Sequence, residues 1–220
     1  MKKLLFLSLF VFLFQYGPAQ ELKPSPFAQK DFQLWLDAGL GYKINKKFDL
    51  AFEAAYRRNN NLADLSETYL ELQLRSDPLD FLVLSAGYRF SGWFETFIVH
   101  RLFAFARFEI NAKRFRIHYR IRYDNNFNLS YPALPDYLRN KIKVRYRTRK
   151  FPLDPYLAYE FFYRLNHWDR KVTQQRFDLG IQYRISKKHA LKGYYRFQQR
   201  MNRIAPNKNY ILGFSYVYDL

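Results

Sequence analysis

The C-terminal end of the chain constrains the fold most, because an apolar or aromatic residue occupies every second position there. The apolar or aromatic positions are Tyr210, Leu212, Phe214, Tyr216, Tyr218 and Leu220. A period of two places all of these side chains on one face of a β-strand. A final strand with one continuous apolar face is typical of β-barrels that span a membrane.

The same alternation predicts ten further strands along the chain. Their ranges are 32–44, 48–57, 67–75, 82–90, 97–110, 114–124, 138–149, 155–165, 176–185 and 190–197. The sixth is the most regular, since Phe115, Ile117 and Tyr119 alternate with basic residues. The fifth is the least regular, with His100 on the face expected to point outward. Each strand thus offers one face to lipid and the other to a polar lumen.

This count of about eleven strands conflicts with the even numbers of bacterial single-chain barrels. Residues 21–30 could add a short strand. Short connections, such as 45–46 and 76–78, alternate with longer ones, the longest being 125–136, as in outer-membrane barrels. The sequence therefore predicts an all-β fold, an antiparallel up-and-down transmembrane β-barrel of ten to twelve strands, with twelve preferred.

The N-terminal residues predict export. Lys2 and Lys3 precede an apolar run over 4–14, and Gly17-Pro18-Ala19 follows, which is the pattern of a signal peptide cleaved after residue 19. The alternative, a membrane anchor, would need roughly 20 apolar residues. The chain contains no cysteine, which excludes disulfides, thiolate metal sites and anchoring through a lipidated cysteine. We expect a signal peptide over 1–19 and one barrel domain over 20–220.

The sequence of a soluble sandwich or lipocalin-like barrel would also alternate between apolar and polar residues, but the apolar face of its strands would point inward. The chain has 19 Tyr and 23 Phe, and aromatic residues make up 20% of it. Side chains of this size would overfill the interior of a small barrel, whereas a lipid-facing band accommodates them. The expected location is therefore the bacterial outer membrane. The expected partners are lipid, lipopolysaccharide and the barrel-assembly machinery, and the protein is expected to be a monomer.

Several segments resemble a family of uncharacterised outer-membrane β-barrel proteins of Gram-negative bacteria, a domain of unknown function. They are the first strand with Trp35, Gly87-Tyr88-Arg89-Phe90, His100-Arg101, Arg120-Ile121-Arg122 and the strand from Lys141 to Arg147. Together they span nearly the whole mature chain. The resemblance implies a fold and a location, and it implies no activity.

Inward basic residues are the strongest functional candidates. They come from three consecutive predicted strands and form a candidate anion site: Arg101, Arg107, Arg116, Arg120, Arg122, Arg139, Lys141, Lys143, Arg145 and Arg147. Like charges on neighbouring strands repel, so they need compensation. An anion-binding or anion-selective lumen is one interpretation.

The alternative interpretation is a lumen filled by ion pairs between these bases and inward acids. The candidate acids are Glu53, Glu67, Glu71, Glu109, Asp124, Glu160 and Asp178. The bases outnumber these acids, and the formal net charge of the chain is +18. Both interpretations therefore remain open, and both suit a structural or porin-like transport role with small anions as possible ligands.

Catalysis has weak support. His118 is predicted to face inward, Ser85 lies on another strand, and His167 and His189 fall in predicted connections. No nucleophile motif, metal-ligand spacing or phosphate-binding glycine loop occurs, so no cofactor is expected. The alternative function is an outer-membrane enzyme acting on lipid or lipopolysaccharide. No nucleic-acid binding is expected, because bases and aromatics lie on opposite strand faces and cannot form one stacking platform.

Overall fold

The computed structural model describes residues 30–93, 97–129, 134–148, 151–165, 170–202 and 207–220. These residues form eleven β-strands, and none of them is in a helix that could cross a membrane. The strands are β1 (Lys30–Lys43), β2 (Phe48–Asn59), β3 (Asp64–Leu79), β4 (Leu82–Trp93), β5 (Phe97–Ala112), β6 (Phe115–Phe127), β7 (Tyr137–Tyr146), β8 (Leu153–Arg164), β9 (Val172–Arg184), β10 (His189–Arg200) and β11 (Lys208–Asp219).

The strands close into one barrel in which every strand pairs with its neighbours in sequence. Consecutive strands are antiparallel, and β1 and β11 close the barrel as a parallel pair, in register from Lys30 opposite Lys208 to Gly41 opposite Asp219. Because consecutive strands run in opposite directions, the first and last strands of an odd-numbered barrel run in the same direction. The closed β-barrel is confirmed, whereas the preference for twelve strands and a fully antiparallel sheet is wrong for the described residues.

Each predicted strand is present, with differences at its ends. The predicted turn at 76–78 lies inside β3, and the chain turns instead at 80–81, after a register irregularity between Ser76 and Leu79. His189, expected in a connection, is the first residue of β10. The predicted signal peptide, the possible strand at 21–29, and Arg149 lie outside the described residues.

The two faces of the sheet differ sharply in polarity. Outward side chains such as Leu70, Leu102 and Leu179 are apolar and 49–59% exposed. Inward side chains are mainly polar or charged and buried, as Glu160 and Asp124 are. The lipocalin-like arrangement is therefore wrong for this barrel, because its apolar face lies on the outside.

Glycines on the inner face make room for aromatic rings. The ring of Phe103 lies against Gly87, that of Tyr156 against Gly180, and that of Tyr194 against Gly213. A Cβ at any of the three glycines would collide with the facing ring. The space beside Gly87 and Gly180 is thus taken by aromatic rings and not by arginine side chains. The rings in turn support cations in the lumen.

The two ends of the barrel carry different connections. At one end the chain turns at 44–47, 80–81, 113–114 and 185–188, and β1 and β11 both end there. The longest interval between consecutive strands, from Phe127 at the end of β6 to Tyr137 at the start of β7, is at the other end, where β1 and β11 both begin. We call these the turn end and the loop end. Lys30 and Asp219 therefore lie at opposite ends of the barrel.

A cysteine cross-link tests the parallel closure. In the naturally cysteine-free chain, Leu34→Cys combined with Leu212→Cys should form a disulfide on mild oxidation, because these residues are opposite each other in the register. The control pair is Leu34→Cys with Tyr216→Cys. These positions are displaced by four residues in the register, so they should not form a disulfide. Electrophoresis without reductant distinguishes the looped product. Equal cross-linking of both pairs, or none in the matched pair, would contradict the closure.

Candidate functional site in the barrel lumen

The ten predicted basic residues lie where the alternation placed them. Arg101 and Arg107 are on β5, Arg116, Arg120 and Arg122 on β6, and the others on β7, with Arg147 directly after its last residue. Register pairing brings these strands side by side, with Arg107 opposite Arg120 and Arg120 opposite Lys141. The structure thus gathers the predicted cations on one part of the inner wall, and their like charges require compensation.

Most of that compensation comes from acids on the same inner face. Arg122 donates to Asp124 at 2.5 Å, and Arg139 donates to Asp124 at 3.0 Å and to Glu160 at 2.8 Å. Arg120 also donates to Glu160 at 2.8 Å. Two carboxylates therefore hold three guanidinium groups of the predicted site.

The network continues in both directions around the wall. Lys141 donates to Asp178 at 3.0 Å, and Asp178 accepts two hydrogen bonds from Arg196 at 2.5 and 2.9 Å. On the other side Arg122 lies 3.5 Å from Glu71, which accepts from Arg89 at 2.7 Å. Because Glu71 is on β3 and Arg122 on β6, this contact joins two strands that are not neighbours in the sheet. A continuous series of alternating charges thus runs from β4 to β10, and we call it the lumen network.

Cations outnumber carboxylates in the lumen network, and aromatic rings stabilise the excess. The guanidinium carbon of Arg89 lies 3.6 Å from the ring centroid of Tyr69, and that of Arg122 lies 3.8 Å from that of Phe103. Arg139 lies 4.4 Å from the Phe162 ring. A cation over an aromatic face is attracted by the ring quadrupole, by about 2 kcal/mol when both are desolvated. Several guanidinium groups thus contact both a carboxylate and a ring.

The remaining predicted cations have weaker partners. Arg101 donates to the Asn126 amide oxygen at 2.6 Å and lies 4.0 Å from Asp124. Arg107 pairs with Glu109 at 2.9 Å near the turn end.

Four of the predicted cations have no carboxylate partner among the described residues. Arg116 and Arg147 donate to the Asn111 side chain at 3.0 and 3.4 Å, and Arg145 donates to Gln182 at 2.9 Å. Lys143 contacts only a ring, with its Nζ 3.9 Å from the centroid of Tyr156. Unmatched positive charge is therefore concentrated toward the turn end.

The predicted acids form pairs, with one exception. Glu67 pairs with Arg57, and Glu71, Glu109, Asp124, Glu160 and Asp178 pair as described. Glu53 has no cation partner among the described residues and accepts instead from the Tyr69 hydroxyl at 2.5 Å. The filled-lumen interpretation is thus supported by the observed ion pairs.

Sequence reasoning did not assign the inward aromatics and several cations of β2, β4, β9 and β10 to the site. The aromatics are Trp35, Tyr69, Phe103, Tyr156, Phe162 and Tyr194, and the cations are Arg57, Arg89, Arg176, Lys192 and Arg196. Their inward positions followed from the alternation. Their contacts did not, because they join strands that are distant in sequence.

Potential catalytic groups do not converge among the described residues. His118 lies 3.4 Å from Glu109, and the Ser85 hydroxyl donates to the backbone oxygen of Leu74 at 2.7 Å. His189 contacts the Tyr216 hydroxyl at 2.7 Å, and His167 lies outside the described residues. Within the described ranges no group of three or more His, Asp or Glu side chains could hold a metal ion.

A family model described as Protein of unknown function (DUF2490) matches residues 32–209. The chain belongs to this family. The match begins in β1 and ends in β11, so the DUF2490 region and the barrel are the same unit. No curated protein matches the chain.

Glu160 is the carboxylate on which the lumen network depends most, so its substitution should be costly. It is 2% exposed and lies within 4.0 Å of Arg120, Arg139, Lys141 and Arg176. Glu160→Gln should lower the free energy of unfolding by about 3 kcal/mol or more, because buried cations lose their counter-charge. The measurement is equilibrium urea unfolding in detergent micelles.

Glu109→Gln is the matched control. Its partner Arg107 has a side chain 30% exposed to solvent, so the loss should be about 1 kcal/mol or less. Equal effects of the two substitutions would show that the lumen network does not stabilise the barrel.

Proposed function

We propose that this DUF2490 protein is an outer-membrane β-barrel of a Gram-negative bacterium, with a lumen closed by ion pairs. Its role is structural or ligand-holding, and it is not a wide pore. The observation that carries the proposal is the sidedness of the sheet, apolar outside and charged inside, around a closed barrel. A closed barrel satisfies its backbone hydrogen bonds internally, as a membrane-spanning sheet must.

The outward apolar surface supports a lipid environment. Every strand contributes large exposed hydrophobic residues, for example Leu36 on β1, Leu72 on β3, Ile142 on β7 and Leu191 on β10. Soluble proteins rarely expose contiguous apolar patches larger than a few hundred Å². Transfer of this surface from water to hydrocarbon is favourable by about 25 cal/mol per Å².

Outward aromatic clusters near both ends of the barrel support the same proposal. Toward the loop end, His100 stacks on Phe127 with centroids 5.2 Å apart and contacts the Tyr88 hydroxyl at 2.5 Å. At the turn end, His189 lies 4.8 Å from Tyr218, ring centroid to centroid. Side chains with an apolar ring and a polar edge are favoured at membrane interfaces, and bacterial barrels carry such girdles at both.

A polar residue in the outward face has its hydrogen bond satisfied. Asn140 faces outward on β7, and its amide oxygen accepts from the hydroxyl of Tyr119 on β6 at 2.9 Å. A polar group in hydrocarbon is costly unless it is hydrogen-bonded. The contact is therefore consistent with a position within the membrane.

The lumen network supports a closed interior. Barrels of about eight strands are filled by side chains, and those of about sixteen leave an aqueous channel. In this barrel of eleven strands, the contact between Arg122 on β6 and Glu71 on β3 passes over the two strands that separate them. Arg122, Glu71 and Arg139 are each less than 10% exposed, as expected for groups packed against one another.

Anion binding is a second candidate function, favoured by the cations without carboxylate partners. Lys143, Arg116, Arg145 and Arg147 lie toward the turn end and supply a positive potential there. The enzyme alternative, acting on lipid or lipopolysaccharide, has no supporting constellation of serine, histidine and carboxylate among the described residues. It remains an untested alternative.

Location and orientation can be tested with single cysteines in the cysteine-free chain. The protein should fractionate with the outer membrane, and Asn61→Cys, exposed at the loop end, should react with a membrane-impermeant maleimide on intact cells. Lys187→Cys, exposed at the turn end, should react only after permeabilisation, because short turns face the periplasm in such barrels. Native protein in the soluble periplasm would refute the proposal, and inverted labelling would refute the orientation.

Conductance tests the closed lumen. The wild-type barrel in a planar bilayer should pass little current, and any residual current should favour anions, because unpaired cations dominate the turn end. Replacing both Arg122 and Arg139 with Ala should increase conductance by removing large side chains that are buried in the lumen. The control is Lys46→Ala with Lys187→Ala, both in exposed turns, which should leave the conductance unchanged. A large, cation-selective wild-type current would contradict the closed lumen and the inward register.

A further inference from the structure

Beside the lumen network lie four charged side chains that do not belong to it. They are Lys143 on β7, Lys192 on β10, Asp37 on β1 and Glu53 on β2. None of them has an oppositely charged group within 4.0 Å among the residues that the structure describes. They form two pairs of like charge, one of ammonium groups and one of carboxylates. Their net charge is zero, yet neither pair neutralises the other by contact.

The two lysines converge on one aromatic ring. Lys143 Nζ lies 3.9 Å and Lys192 Nζ 5.7 Å from the ring centroid of Tyr156. The inward carboxylate nearest in the register, Asp178, already accepts hydrogen bonds from Arg196 and Lys141. The lysines therefore remain available to an anionic group.

Tyr156 provides an independent sign that this part of the lumen is incompletely satisfied. The residue is 3% exposed, and its buried hydroxyl has no hydrogen-bond partner among the described residues. A buried polar group without a partner is uncommon in folded proteins. The Tyr156 hydroxyl can therefore still donate and accept a hydrogen bond, and its ring lies close to two ammonium groups that have no counter-ion among the described residues.

The two carboxylates converge on another tyrosine. The Tyr69 hydroxyl donates to Glu53 at 2.5 Å and lies 3.5 Å from the Asp37 carboxylate. Arg57, the cation on β2 closest to them in sequence, is paired with Glu67 and stacked on Trp35 at 4.0 Å. The carboxylates are therefore available to a cationic group.

The register brings one member of each pair onto the same part of the wall. Lys192 is opposite Ser215 on β11, and Ser215 is opposite Asp37 on β1. With strands about 4.8 Å apart, the Cα atoms of Lys192 and Asp37 are separated by about 10 Å. The residue between them has a small side chain. Over this separation, a molecule of a few heavy atoms can contact charged side chains from both pairs.

We call the part of the lumen between Lys143, Lys192, Asp37 and Glu53 the chamber. We propose that this chamber binds a small zwitterion of the amino-acid class. Its carboxylate is held by Lys143 and Lys192, and its ammonium group by Asp37 and Glu53. A plain anion would meet repulsion from the carboxylates, and a plain cation would meet repulsion from the lysines. A zwitterion makes charge-assisted hydrogen bonds with both, and these are about twice as strong as neutral ones. The inference rests on the proposed closed lumen, because a wide channel would leave the chamber filled with bulk water.

Binding can be measured on the purified wild-type barrel in detergent, using glycine, acetate and methylammonium as probes. Ligand-observed saturation-transfer NMR should give glycine a dissociation constant at least tenfold lower than those of the two singly charged probes. Acetate or methylammonium binding as tightly as glycine would overturn the proposal, and so would the absence of glycine binding. This comparison needs no variant, so it does not depend on the folding of altered chains.

Paired substitutions then locate the site. Lys143→Gln with Lys192→Gln, and separately Asp37→Asn with Glu53→Gln, should each weaken glycine binding at least tenfold. Lys46→Gln with Lys187→Gln, in exposed turns, should leave it unchanged. Heat-modifiable gel mobility identifies the variants that retain the barrel. Unchanged glycine binding in both folded lumen variants would overturn the assignment.

The two proposals fail in different ways. Binding in detergent does not depend on membrane location, and fractionation does not depend on a ligand. A barrel that binds glycine but is found outside the outer membrane refutes only the proposed location.

Discussion

The closing pair of β1 and β11 is the constraint on which the rest of the structure depends. It connects the first and last strands along twelve residue pairs, so that neither has a free edge. Closure also separates the inside from the outside, and each strand then presents alternate side chains to two different environments. A one-residue slip at this pair would move the charged residues of β1 to the outer surface and its leucines into the lumen. The register therefore fixes both surfaces at once.

Inside the barrel, charge is accommodated by two kinds of contact. Carboxylates such as Glu160 and Asp124 each hold more than one guanidinium group. Aromatic rings lie flat over glycines and support the cations that exceed the carboxylates. A buried cation with neither contact would bear a large desolvation cost. The combination explains how a chain with a formal net charge of +18 can enclose so many of its arginines.

The same contacts divide the lumen into two functional regions. The lumen network runs around the wall from β3 to β10 and suits a barrier. The chamber beside it keeps two ammonium groups and two carboxylates without oppositely charged partners among the described residues, which suits a small ligand. The barrier and the chamber thus use different residues of one inner surface. The family match covers residues 32–209, so the charged residues of both regions lie within it.

The sequence by itself determined the strand positions, the inward and outward faces, and the identity of most acids and bases in the lumen, because these follow from a period of two along each strand. Only the tertiary structure decided the strand count and the parallel closure, since an extra short strand could not be excluded from alternation alone. The pairing of Arg122 with Glu71 could be seen only in the structure, because it joins strands that are not consecutive in sequence. The same holds for the lack of a carboxylate partner for Lys143 and Lys192 among the described residues. Alternation fixes the direction in which a side chain points. The curvature and closure of the sheet decide what it meets.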